Sequence, residues 1–251
     1  MQQIGQCKLY QGDCLQLLPE AVLSESVDLN LTDLPYGTTQ CKWDTPIDLD
    51  AFWVEVKRIR KDRSATVLFC TQPFTSILVT SNLDEFKYCW DWDKVTAKGH
   101  LVAKIRPLQQ TEQIAVFGKD RINYYPIMVP RKKPRFQTSG PIPECMGGGE
   151  SGYKSRWAYA RYPKTLLQFS WSGKNKFHPT QKPTPLLEYL IKTYTKEGDL
   201  VIDFTMGSGS TGEACIKLSR RFVGIELKEE YYNTACSRLE KAWLEKKSEL
   251  F

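Results

Sequence analysis

The sequence predicts an α/β protein built on a mostly parallel sheet. Three observations carry that prediction. Short β-branched or apolar runs alternate with stretches of helical periodicity along most of the 251 residues. Near the end, "LVIDFTMGSGSTGEA" reads as a strand, a glycine loop and a helix, the unit in which such sheets hold a ligand at a helix N-terminus. Only 25 residues follow Glu226, room for one helix, so the remaining strands must come from upstream. The order of the fold is therefore rotated, and "CKLYQGD" is expected to return to the sheet beside "FVGIE", from the opposite end of the chain.

Seven runs read as strands: 7–12, 27–33, 65–70, 86–92, 112–118, 200–204 and 221–227. Helical patterns lie between many of them. In 49–61, Phe52, Val56 and Ile59 share one face. The helix expected over 184–196 follows Pro183 and has Pro185 near its first turn, a position proline favours. Helices are also expected over 211–221 and 229–247. The basic run "KRIRKDR" (57–63) reads as a mainly solvated helix end. From about 120 to 177 the rhythm breaks. This stretch is rich in Pro, Gly, Lys, Arg and Tyr and reads as an insert of loops and short elements. The chain thus divides into 1–119 and 178–251, two halves of one domain, and an insert over 120–177.

Composition narrows the function classes. No run of eighteen apolar residues occurs and no signal-peptide pattern opens the chain, so no membrane span and a cytoplasmic location are expected. The eight cysteines include no C-x-x-C pair, and neither histidine lies at a zinc-site spacing. Reduced, mostly buried thiols and no metal are expected. The net charge of +6 is a mild excess, consistent with a polyanionic partner.

Two motifs carry chemistry. Gly207, Gly209 and Gly212 match G-x-G-x-x-G, and Glu226 ends the next strand, where such folds hydrogen-bond ribose hydroxyls. In "TDLPYG" (32–37), Asp33 closes a buried-looking strand and is followed by a proline and an aromatic. Strand ends of this kind bind ligands; a carboxylate there can also cap the following turn.

Asp33-Leu34-Pro35-Tyr36 resembles the (D/N/S)-P-P-(Y/F) motif of amino-methylating DNA methyltransferases. "HPTQKP" (178–183) and "DFTMGSGSTG" (203–212) are similar to two further motifs of these enzymes, and their order is that of the permuted beta group. Residues 90–119 and 161–169 resemble segments of phage and mobile-element members. The resemblance implies a Rossmann-like seven-stranded sheet with helices on both faces and the last strand antiparallel, with a target-recognition insert over 120–177. It implies S-adenosylmethionine as cofactor, double-stranded DNA as partner, and restriction–modification as setting. Members of the group are often dimers.

The resemblance also distributes roles. The Asp33 carboxylate and the Leu34 carbonyl would each accept an N–H of the target amine. Pro35 holds Leu34 extended, and Tyr36 offers a stacking face to a flipped-out base. The expected reaction is methylation of adenine N6. Cytosine N4 is the alternative, less favoured because serine usually replaces the aspartate there, and a catalytically inactive DNA-binding relative is another. Asp203, Phe204, Gly207, Ser208, Gly209, Ser210, Thr211 and Glu226 would bind the cofactor. Thr180, Gln181 and Lys182 would serve its methionine end, Lys182 by pairing with its carboxylate. Asp13 would lie near its adenine, although a helix N-cap is an equally good reading. Arg131, Lys132, Lys133, Arg135, Lys154, Arg156 and Arg161, interleaved with aromatics, would meet DNA phosphates. Three departures stand out: Leu34 for a proline, Phe204-Thr205 for proline-phenylalanine, and "IRPLQQTE" (105–112) for a stretch often carrying His and Lys.

Overall fold

The computed structural model describes residues 1–37, 45–140, 154–170 and 181–248. The chain forms two compact units, one of Met1–Tyr125 with the chain from Thr165 onward, the other of Pro126–Lys164. The elements run β1 (Gln2–Ile4), β2 (Cys7–Gln11), α1 (Cys14–Ala21), β3 (Val27–Thr32), α2 (Leu49–Ile59), β4 (Arg60–Cys70), α3 (Phe74–Ser81), β5 (Phe86–Lys98) and β6 (Gln109–Phe117). They continue with β7 (Val129–Ser139) and β8 (Lys154–Arg161) in the second unit, then β9 (Leu166–Gln168), α4 (Thr184–Tyr194), β10 (Leu200–Asp203), α5 (Ser210–Lys217), β11 (Arg221–Glu226) and α6 (Glu229–Ser248).

The large sheet has the order β1-β2-β11-β10-β3-β4-β6-β5-β9. The run from β2 to β4 is parallel. Strand β6 is antiparallel to both its neighbours, β4 and β5, whereas the last strand in the chain, β11, is parallel. All seven expected strands are present, and the short edge strands β1 and β9 extend the sheet. The rotated order closes as required: β2 pairs with β11 from Cys7↔Phe222 to Gln11↔Glu226, joining opposite ends of the chain.

Both faces of the sheet are covered. Leu186, Leu190, Cys215 and Leu239 of α4, α5 and α6 pack on one face. Leu18, Phe52, Val56 and Leu78 of α1, α2 and α3 pack on the other. Every residue of β3 is buried, as expected of an interior parallel strand. Its polar residues therefore need partners. Asp28 accepts from Lys61 Nζ at 2.7 Å and from Leu200 N at 2.9 Å. Thr32 Oγ1 donates to Asn30 Oδ1 at 2.7 Å and accepts from Phe204 N at 3.1 Å. These bonds tie β3 to β10 beneath the strand ends. Aspartates cap two of the helices: Asp13 accepts from Leu15 N and Gln16 N, and Asp48 from Asp50 N and Ala51 N. Such caps contribute about 1 kcal/mol each.

The basic run 57–63 ends α2 and is solvated in part: Lys57, Lys61, Asp62 and Arg63 are exposed, but several of its charges are paired. Arg60 forms a two-pronged pair with Glu85 at 2.6 and 2.7 Å, and Lys61 pairs with Asp28. Arg58 reaches Glu55 and the carbonyls of Leu18 and Val22. Arg60 is the most enclosed of these cations, and it opens β4, which begins there rather than at Ala65. The insert is also more regular than loops. Among its described residues, Val129–Ser139 and Lys154–Arg161 form the antiparallel pair β7–β8, with a register shift between Pro130 and Arg135, and Leu166–Gln168 is β9 of the large sheet. Helices α1 and α3 were not among the expected four; both are only eight residues long. Among the described residues no helix is long and apolar enough to cross a membrane. Five of the six described cysteines are buried, and none is bonded to another.

Candidate active site

Three adjacent parallel strands each bring a carboxylate to their C-terminal ends. Asp33 follows β3, Asp203 ends β10 and Glu226 ends β11. A cavity of about 760 Å³ opens there. That is an ordinary size for a cofactor or substrate site, at the edge where open α/β sheets bind ligands.

Asp33 is held on both sides. Its Oδ1 accepts from the Tyr36 hydroxyl at 2.8 Å and its Oδ2 from Lys182 Nζ at 2.5 Å. The Asp33 main-chain carbonyl accepts from Thr205 Oγ1 at 2.9 Å, which joins the turn to the loop after β10. Leu34 is buried, with 2% of its surface exposed, in the core that also holds Phe52 and Phe204. Its side chain is thus a packing element, an addition to the carbonyl role expected for it. Pro35 and Tyr36 line the cavity. One face of Tyr36 stacks on Phe74, with ring centroids 5.0 Å apart. Burial and the Asp33 charge push the Tyr36 phenol well above its usual range, so it stays a donor to Asp33.

The cofactor-loop residues divide into two kinds. Gly207, Ser208, Ser210 and Thr211 line the cavity. Gly207 has φ +53° and open space where a side chain would begin, and its N–H donates to Glu226 Oε2 at 2.9 Å. The other Glu226 oxygen accepts from Lys228 N at 2.8 Å, and burial raises its pKa against these bonds. Gly209 does not line the cavity. With φ +77° it turns the chain into α5, and a Cβ there would meet Leu239 and Ala235 of α6. Gly212 is likewise a contact glycine, against Leu239 and Phe222.

Asp203 accepts from Thr211 Oγ1 at 2.7 Å and from Thr205 N at 3.2 Å. Burial outweighs both bonds and, with the nearby Asp33 and Glu226 charges, raises its pKa to about 7. Phe204 is buried edge-on against Phe52, at 5.1 Å between centroids. Asp13 caps α1, as one of its two readings expected, and it also lines the cavity. Gln181 lines the cavity; Thr180 lies outside the described residues. Lys182 was expected at a cofactor carboxylate, but its ammonium sits on Asp33.

The motifs did not include the wall that β4, β5 and β6 supply: Phe69, Trp92, Lys94 and Glu112. Glu112 pairs with Lys94 at 2.5 Å and stands 4.0 Å from Lys182. Its one signal in the sequence was the departure at 105–112.

In the smaller unit, strand pairing sets Phe136 opposite Trp157, with ring centroids 5.4 Å apart. The next pairs, Arg135 with Ala158 and Gln137 with Arg156, face the other way. Lys132, Lys133, Arg135, Arg156 and Arg161 are exposed, and Arg131 donates to the Ala160 carbonyl at 3.2 Å. Lys154 opens β8.

A family model described as DNA methylase, of N6/N4 type, matches residues 27–237. The type II methyltransferase M1.MboII of Moraxella bovis is 26% identical over 254 aligned positions, 91% of this chain and 94% of that protein. The type II methyltransferase M2.DpnII of Streptococcus pneumoniae is 51% identical over 70 residues, a match covering 28% of this chain and a quarter of that protein's length. The crystal structure of an M1.HpyAVI–SAM complex superposes with a TM-score of 0.64 at 25% identity, covering 93% of this chain and 98% of that one. The cytosine-N4-specific PvuII DNA methyltransferase superposes at 0.67 with 19% identity, covering 96% and 91%.

Proposed function

Because this chain belongs to the N6/N4 DNA methylase family, we propose that it transfers a methyl group from S-adenosylmethionine to adenine N6 of a base flipped out of double-stranded DNA. The observation that carries the reading is the convergence of the Asp33 turn, the glycine loop and Glu226 on one cavity.

The cavity fits the cofactor. Gly207 leaves open space at the loop, and Glu226 retains lone pairs for a hydroxyl pair. The Asp203 and Asp33 carboxylates suit a ligand with cationic groups. Bound there, S-adenosylmethionine supplies a methyl group made electrophilic by its sulfonium. The chain does the rest by positioning and electrostatics. An exocyclic amine is a poor nucleophile because its lone pair is delocalised into the ring. Asp33 accepts one N–H and the Leu34 carbonyl the other, which favours a tetrahedral nitrogen. Each Asp33 oxygen keeps a second lone pair beside its bond to Tyr36 or Lys182. The surplus proton leaves to Asp33 or to water. No covalent enzyme intermediate is needed. The Tyr36 ring, which lines the cavity, stacks the base, worth roughly 1–3 kcal/mol against the few kcal/mol of flipping.

The exposed cations of the Pro126–Lys164 unit, interleaved with Phe136, Trp157 and Tyr159, supply phosphate contacts and are proposed as the target-recognition surface. Aspartate rather than serine at position 33 favours adenine over cytosine. The test is digestion of DNA treated with the enzyme and labelled cofactor, followed by nucleoside analysis. N6-methyladenine is expected, and N4-methylcytosine would replace the adenine assignment. Asp33→Ala should lower turnover at least about 100-fold and leave cofactor affinity within a few-fold. Unchanged turnover would remove Asp33 from the chemistry.

A further inference from the structure

We propose that Glu112 is a positioning residue for this reaction, acting through Lys182 to orient the Asp33 carboxylate. The inference rests on the reading of Asp33 as acceptor of the target amine.

Four side chains form a largely buried chain of alternating charge: Asp33 after β3, Lys182 just before α4, Glu112 within β6 and Lys94 within β5. The contacts are 2.5 Å, 4.0 Å and 2.5 Å. Lys182 and Lys94 are each about one-tenth exposed at the side chain. The pairing of β5 with β6 builds the far end. Trp92 stands opposite Glu112, and Lys94, two residues on, lies diagonally across on the same face. Lys182 also sits 4.9 Å above the Phe69 ring, which limits where its stem can go.

The chain answers an electrostatic problem. Asp33 and Glu112 face one cavity, and two carboxylates there repel unless a cation stands between them. Lys182 is that cation. Burial opposes its charge, but Asp33 and Glu112, with Asp203 behind them, outweigh burial and hold the ammonium above its ordinary range. Glu112 in turn stays ionised despite burial because Lys182, Lys94 and Lys98 surround it. Its Oε2 is buried without a hydrogen-bond partner, so its hold on Lys182 is purely coulombic. With Lys182 drawn from both sides, its bond to Oδ2 and the Tyr36 bond to Oδ1 define the plane of the Asp33 carboxylate. Without Glu112, Lys182 keeps one anchor and that plane loosens.

The experiment compares the parent enzyme with Glu112→Gln, Glu112→Asp and Asp33→Ala. It measures single-turnover methyl transfer, equilibrium binding of S-adenosylmethionine and DNA, and melting temperature. Glu112→Gln should slow methyl transfer about 10- to 100-fold with both affinities within about threefold. Its alkaline limb of activity should move to lower pH, because Lys182 has lost a counter-charge. Glu112→Asp keeps the charge and should recover part of the rate, and it decides the matter if Glu112→Gln fails to fold. An inactive Asp33→Ala beside a fully active, pH-unshifted Glu112→Gln overturns the positioning role alone. An active Asp33→Ala overturns the reading beneath it. A Glu112→Gln loss that appears equally in cofactor affinity also overturns the inference, since Glu112 would then act on the cofactor.

Discussion

Binding of S-adenosylmethionine should weaken as pH falls through 7, and Asp203 should be the cause. Its carboxyl titrates at about 7 because burial outweighs the bonds from Thr211 and Thr205. A ligand carrying a sulfonium and an ammonium selects the ionised form. If only that form binds, the dissociation constant rises about 25-fold between pH 7.5 and pH 5.5, with a limiting slope of one proton per cofactor. The window ends at 7.5 because an α-amino group titrates near 8. Calorimetric titration in two buffers of different ionisation heat reads both the affinity and the proton released. Glu226 is also raised, so the assignment is made with Asp203→Asn, which should bind more weakly at pH 7.5 and lose the slope. A flat parent profile, or a slope that survives in Asp203→Asn, refutes the argument. The same shift has a consequence for folding. The folded pKa lies above the ordinary 3.8, so between pH 4 and 7 the native state holds a proton that the unfolded chain has released. The contribution of this group to stability therefore declines as pH rises through that window and is level above it. Melting curves of Asp203→Asn should lack that decline.

Three further outcomes follow from particular contacts. Glu226→Gln keeps the shape but removes the charge that accepts from Gly207 and Lys228; cofactor affinity in equilibrium dialysis should fall about tenfold or more. Leu34→Ala should cost about 2–4 kcal/mol in denaturant unfolding, since the side chain is 2% exposed, and Leu34→Pro should lose much of the same packing. Neutralising Arg131, Lys132, Lys133 and Arg135 together should flatten the plot of log affinity for DNA against log salt by up to about 3 or 4, and an unchanged slope would return these charges to a merely solvated face.

The strand runs and the rotated order were legible in the sequence, because buried parallel strands and glycine loops impose composition over consecutive residues. Residues 27–33 are continuous enough to read as interior, and "CKLYQGD" lies beside β11, as expected. Asp33 and Glu226 were legible for the same reason: each ends a strand that the pattern already marked. The insert's β-ribbon was not, since its basic and proline residues mask the two-residue period that pairing reveals. Nor were the separate tasks of the glycines. Only packing shows that Gly207 faces open space while Gly209 and Gly212 admit α6 and β11. Most of all, the charges could not be sorted. Arg60 looks like a solvated residue until Glu85 is beside it, and nothing in the sequence places Lys182 between Asp33 and Glu112. Local pattern determines where a strand ends because sterics and burial act between near neighbours. Which charge meets which is decided by residues far apart in the chain, here Asp33 and Lys182 at a separation of 149, which only the folded chain brings within hydrogen-bonding distance.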